Sequence, residues 1–252
     1  MSKFSLPRLA LAALALPLAL SLSACGESGE AGGGSTSDKI ESIAAPAGKA
    51  WADVVARTPE GGFQMGNPDA PIKLVEYGSL TCPACANFSQ TGMQSLRDDY
   101  INSGRVSLEF RSVPIHGAVD LVLTRMLECG PKEAAPLLAE PRWGHLDAVL
   151  TPIQSNAAAL EQAMSLPENQ RFVAYADQGG LIEFFAARGF SIAQSSECLS
   201  DFAAMQALAE RLQAQADKDG VNSTPTFLLN GTAIDETSWA ALEPMLQNAG
   251  AR

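Results

Sequence analysis

Hydrophobic and polar residues along this chain fall into blocks of different period, and those periods predict the elements. Ile72 to Tyr77 is a largely apolar run of strand length, broken by Gly78-Ser79, and predicts a buried strand. From Cys85 to Leu96 the spacing becomes helical: Phe88, Met93 and Leu96 face one way, Asn87, Gln90 and Gln94 another. Val106 to Val113 alternates with period two and predicts a second core strand. A helical block follows from about Val119 to Ala216, with no convincing strand in it. Pro131, Pro136, Pro141, Pro152, Pro167 and the Gly179-Gly180 pair punctuate it. Thr226 to Leu229 reads as a strand entered through Pro225 and turned at Asn230-Gly231 into a second strand. Thr237 to Leu246 has a capping start and an apolar stripe, with Trp239 as packing, and predicts a closing helix. The fold class is therefore α/β with a helical insertion at about 116–217.

The amino-terminal pattern is of another kind. Lys3 and Arg8 precede an apolar stretch from Leu9 to Leu22, and small residues follow. This is the layout of an export signal over 1–24, too short to span a bilayer comfortably. Leu22-Ser23-Ala24-Cys25 resembles a lipobox, in which Cys25 is lipid-modified and becomes the mature amino terminus; an ordinary cleaved signal and a retained anchor are the alternatives. Acyl chains on Cys25 would hold the protein to a membrane. Residues 25–58, rich in Gly, Ser, Ala and acids over their first half, read as a flexible tether. Within it Trp51 and Val54-Val55 read as the start of a helix or packed arm, Trp51 as a surface-docking residue. The domain is then 59–252, a size that suits one fold.

Charge narrows the partners. The two cations in the expected signal leave 15 basic against 28 acidic residues, a net −13, so a nucleic-acid partner is excluded. There are no internal repeats.

The candidate chemistry is Cys82-Pro83-Ala84-Cys85 at the start of the predicted helix. Unpaired N–H groups and the positive end of the helix dipole favour thiolate there. In such motifs the leading thiol falls to a pKa of about 3.5–7.5. Cys82 is the expected exposed attacking sulfur and Cys85 the shielded resolving one; half of a zinc site is the alternative. Glu76 sits in an otherwise apolar strand, where burial would raise its pKa and let it exchange the proton of Cys85; a carboxylate turned to solvent is the other reading. Glu109 and Arg111 share one strand face and are expected as solvated charge, with proximity to Glu76 as the alternative. His116, at a loop, is expected to make a local hydrogen bond, with approach to the thiols as the alternative. Trp143 and His145 receive no chemistry. In an oxidising compartment Cys129 and Cys198 suggest a structural disulfide, two buried free thiols being the alternative.

Together, Val75-Glu76-Tyr77, Cys82-Pro83-Ala84-Cys85 and the late Thr224-Pro225-Thr226-Phe227 resemble the DsbA-like thiol:disulfide oxidoreductases, an envelope branch of the thioredoxin superfamily. Gly66-Asn67-Pro68-Asp69-Ala70-Pro71 adds to the likeness, which covers roughly Phe63 to Asn248. The resemblance implies a thioredoxin-like fold with a helical insertion and redox exchange at a Cys82–Cys85 disulfide. It also implies a cis-proline at Pro225 beside the thiols and a Thr224 backbone that pairs with an extended substrate segment. No cofactor is expected. The implied partners are exported protein thiols or disulfides and an envelope redox partner that resets the pair. The implied place is the cell envelope, periplasm-facing and lipid-anchored. Ala84 stands where strong oxidases of the family carry histidine, so a milder oxidant is expected. The oxidase direction is favoured over reductase or isomerase, although Thr224 also looks like members that reduce or isomerise. A Cu(I)- or zinc-handling lipoprotein using Cys82 and Cys85 is the runner-up.

Overall fold

The computed structural model describes residues 37–130 and 146–252. The expected signal, Cys25, Trp143 and His145 lie outside the described residues.

A six-stranded sheet organises the described chain: β1 (Val55–Arg57), β2 (Phe63–Gly66), β3 (Ile72–Gly78), β4 (Val106–Ser112), β5 (Thr226–Leu229) and β6 (Thr232–Ile234). Their spatial order is β1-β2-β4-β3-β5-β6. Only β3 and β4 run parallel; the other neighbours are antiparallel. β3 lies between β4 and β5 and is covered on both faces, which explains why its sequence is nearly continuous apolar rather than alternating.

Between β3 and β4 runs α1 (Pro83–Ser95), extended by a turn of wider π type, Leu96–Ile101. Pro83 opens α1 because the first turn has no use for its missing N–H. α1 packs on the sheet face formed by Leu74, Leu108 and Phe227, with the Phe88 and Phe227 rings 4.6 Å apart. The insertion is helical in all its described parts: α2 (Ala118–Cys129), α3 (Leu146–Ser155), α4 (Ala157–Met164), α5 (Glu168–Gln178), α6 (Leu181–Ala186), α7 (Ile192–Ser200) and α8 (Phe202–Lys218). Its core of Leu123, Met126, Phe172, Leu181, Phe185, Leu199 and Met205 is continuous with Phe63 and Phe110 of the sheet. Ala216 of α8 and Val221 cover Val75, Tyr77 and Leu228 on the opposite sheet face. Each large side chain fully buried here contributes about 1.5–3 kcal/mol.

The closing helix α9 (Trp239–Asn248) lies against α1, where a Cβ on Gly92 would come within 2.7 Å of Trp239. Glycine at 92 is what lets the two helices approach. The Asn-Gly hairpin forms as expected: Asn230 and Gly231 both have positive φ, and Asn230 exchanges two 2.8 Å bonds with the Lys73 backbone.

Three expectations need correction. The tether of 25–58 is too long, because residues 37–58 pack on the domain. Ser37, Ile40 and Ile43 donate backbone bonds to Asn248, Gly250 and Ser103, and β1 adds a strand to the sheet. Trp51 is a core residue at 8% exposure rather than a surface-docking one, its indole N–H donating to the Ile43 carbonyl at 2.7 Å. Glu109 and Arg111 are half-buried rather than solvated. Arg111 binds Glu109 at 2.9 Å, the Tyr77 hydroxyl at 3.1 Å and Asp219 at 3.3 Å. They align with Val75 and Tyr77, so they occupy the face opposite Glu76.

Candidate functional site

Gly78 ends β3, and the chain enters α1 through Ser79-Leu80-Thr81 with Cys82 as the helix cap. The Cys82 sulfur accepts the Cys85 N–H at 3.2 Å, as a serine or aspartate oxygen would at this position. From the far end of the chain, the cis Thr224–Pro225 bond brings the Thr224 carbonyl to 3.5 Å from the same sulfur. Sequence placed these groups together by resemblance alone, because 142 residues separate them.

Exposure does not distinguish the two thiols: Cys82 and Cys85 are each 4% exposed. The expectation of an exposed Cys82 fails, since the Thr224-Pro225 loop and the first turn of α1 both close over it. Charge distinguishes them instead. Cys82 is lowered to about 5, chiefly by a hydrogen bond from the Cys85 thiol, with help from Thr224 and from the Cys85 and Ala84 N–H groups against the cost of burial. Cys85 is pushed above the ordinary thiol range because its proton serves Cys82, and burial and the Glu76 charge add to that. The helix amides therefore act as expected, but the partner thiol is the stronger influence. The buried Thr224 hydroxyl has no other group to bond among the described residues, so the Cys82 thiolate is the acceptor it serves.

Glu76 is 5% exposed and held at about 8 by burial and then by the Cys82 charge. Its carboxyl lies along the strand where a Cβ on Gly78 would meet it at 3.2 Å and the Phe110 ring at 2.6 Å. A glycine in that position makes room for both.

The His116 side chain does not bond locally as expected but reaches the motif, Nδ1 lying 2.7 Å from the hydroxyl of Thr81, 35 positions earlier. Behind Thr81 is a residue that sequence reasoning missed. Asp120, 1% exposed on the first turn of α2, accepts from the Ser79 hydroxyl at 2.9 Å, the Thr81 hydroxyl at 2.7 Å and the His116 backbone at 2.9 Å. In the sequence it reads as an ordinary acidic residue of a helix start; the hydroxyls of Ser79 and Thr81 flanking Leu80 were the available signal. Cys129 and Cys198 are joined as a disulfide with Cα atoms 6.2 Å apart. Among the described residues, no three His, Cys, Asp or Glu side chains converge to hold a metal ion. Among them, too, no helix is long and apolar enough to cross a membrane.

The thioredoxin family model matches residues 58–248. The chain belongs to the thioredoxin family. Within that family, a protein-disulfide isomerase from Novosphingobium aromaticivorans shares 25% identity and a TM-score of 0.65, covering 73% of this chain and 94% of that one. Wolbachia pipientis alpha-DsbA1, at 20% identity and a TM-score of 0.56, covers 77% and 92% and shows the shared fold. Two curated relatives are similar over 53 residues. The probable disulfide bond formation protein D of Bacillus cereus is 42% identical and the disulfide bond formation protein D of Bacillus subtilis 36% identical there. That stretch is 21% of this chain and 24% of each relative, so the match spans about a quarter of their length. The expected DsbA-like resemblance and the thioredoxin-like fold are borne out.

Proposed function

We propose that this protein is a thiol:disulfide oxidoreductase of the bacterial cell envelope that forms disulfides in exported proteins through Cys82 and Cys85. The observation that carries this reading is the split between the two thiols, one lowered to about 5 and its neighbour raised. A thiolate is the nucleophile and a low-pKa thiolate the better leaving group, so Cys82 is the sulfur through which a mixed disulfide is made and released. In the oxidised protein a substrate thiolate attacks Cys82 and Cys85 leaves. A second substrate thiolate then displaces Cys82, which yields the substrate disulfide and the reduced pair. Glu76, buried behind the pair, supplies and recovers the proton of Cys85. The Thr224 backbone binds an extended substrate segment by strand addition, and an envelope redox partner reoxidises the pair.

The low position of Cys82 supports the oxidase direction, because stabilising the reduced form makes the disulfide a stronger oxidant. The names of the Bacillus relatives, disulfide bond formation proteins, point the same way. Ala84 offers the thiolate no imidazole, so the potential falls below that of a protein with histidine there. The signal-like 1–24 and the lipobox-like Leu22-Ser23-Ala24-Cys25 support export and lipid anchoring at Cys25.

The test is the Cys82/Cys85 reduction potential in glutathione buffers. A value well above the roughly −270 mV of thioredoxin is expected, and a value at that level overturns the oxidase direction. Cys85→Ala should accumulate mixed disulfides with exported proteins through Cys82; their absence overturns the exchange itself.

A further inference from the structure

A substrate cysteine that attacks the Cys82–Cys85 disulfide must first lose its proton, and an ordinary thiol, with a pKa of about 8.5, is mostly protonated at neutral pH. Glu76 lies behind the pair, is buried and is committed to Cys85. Ala84, inside the motif, carries no acceptor. His116 does, and the hydrogen bonds around it decide which ring nitrogen is free.

The Asp120 carboxylate can only accept, so the single hydroxyl proton of Thr81 goes to it across 2.7 Å. Toward His116, therefore, Thr81 can only accept, and at 2.7 Å the ring must donate from Nδ1. The neutral ring held this way carries its lone pair on Nε2, and His116 is exposed on the loop ahead of α2, bonded to the residue immediately before Cys82. Ser79, bonded to Asp120 at 2.9 Å and accepting the Thr81 backbone N–H at 3.1 Å, holds the chain in place.

We propose that His116 is the proton acceptor for the incoming substrate thiol, and that Asp120, acting through Thr81, is the positioning residue that keeps its Nε2 free. This rests on the exchange reading above. The thiol proton passes to Nε2, and the substrate sulfur bonds to the Cys82 sulfur. The Cys82–Cys85 bond breaks, and Cys85 leaves with the electron pair and takes the proton of Glu76. His116 then returns its proton to water. Substrate sulfur is oxidised and the protein disulfide reduced, with no other reactant. The titratable groups facing this chain are Cys82, Asp120 and, from α5, Tyr175, whose hydroxyl is raised by burial and by the Asp120 charge.

The test follows reduction of the oxidised protein in single turnovers by two reagents. One is dithiothreitol, a thiol that must be deprotonated; the other is a water-soluble phosphine in mildly alkaline buffer, where it has no proton to lose. His116→Ala should slow dithiothreitol about tenfold to a hundredfold near neutral pH, where a free imidazole is mostly unprotonated and the reagent is still mostly thiol. The gap should close once the reagent ionises by itself, and the phosphine rate should be unchanged. Thr81→Val should copy this selectivity, and Thr81→Ser should restore the native rate. Equal slowing of both reagents, or no slowing of dithiothreitol, overturns the assignment while leaving Cys82 and Cys85 as the exchange pair. A native disulfide inert to both reagents removes the exchange reading as well.

Discussion

At the scale of single residues, Glu76 carries the clearest linkage between chemistry and stability. Its folded pKa is about 8, against about 4.3 for a glutamate in an unfolded chain. Between those values the folded protein holds a proton that the unfolded chain has released. The contribution of this group is therefore fully present below about pH 4.3 and is lost as pH rises through about 8. Glu76→Gln removes that dependence. In the reduced protein the variant should gain stability over the native chain as pH rises, by on the order of a few kcal/mol near neutrality, and should match it in acid. Urea unfolding at a series of pH values checks this. A variant weaker than native by the same amount at every pH would show that the carboxylate is held by polar partners and not merely desolvated. Disulfide exchange should slow in the same variant, since Cys85 loses its proton partner. The unusual placement of Glu76 was legible because a lone acid in an apolar strand is costly. Asp120 was not, because an acid in a helix's first turn is ordinary and only the fold reveals the Ser79, Thr81 and His116 donors around it.

At the scale of elements, the disulfide ties the last residue of α2 to the last turn of α7 across a sequence separation of 69. In the chain-entropy model a loop of that length is worth about 4 kcal/mol. Cys129→Ser with Cys198→Ser should lower stability by up to that amount, and the loss should fall on the insertion. Hydrogen exchange is expected to rise in α2 and α7 before it rises in β3, whose backbone is paired on both sides. Uniform acceleration in α7 and β3 would show that insertion and sheet open as one unit. The insertion and α1 could be drawn from hydrophobic period, β3 from an apolar run of strand length, and the hairpin from its Asn-Gly turn. The pairing of Glu109 with Arg111 could not. Alternation says only that they share a face, and it takes Tyr77, Asp219 and Thr58 from three other segments to bury that face.

At the scale of the whole molecule, the segment before β2 proves to be part of the fold, and its composition hides this. In residues 37–58 the large apolar residues, Ile40, Ile43, Trp51, Val54 and Val55, stand among alanines and polar residues with no regular period. They are held by long-range backbone bonds to Asn248, Gly250 and Ser103, by the Ala52 N–H on the Asn102 side chain at 2.9 Å, and by one buried tryptophan. These partners lie far off in sequence, so the local signal of Trp51 and Val54-Val55 could suggest a packed arm but not what it packs on. Two truncations separate the readings. A chain begun at residue 37 keeps β1 on the edge of the sheet and should unfold like the longer protein. One begun at residue 59 loses β1, Trp51 and the Thr58–Glu109 bond at 2.6 Å, and it leaves the β2 edge open to pairing with other chains. Removing the Trp51 side chain alone should cost about 3–5 kcal/mol, so the shorter chain should be at least that much weaker and should self-associate. Thermal unfolding together with sedimentation of both truncations decides it. Equal stability and a monomer at residue 59 would restore the tether to its full expected length.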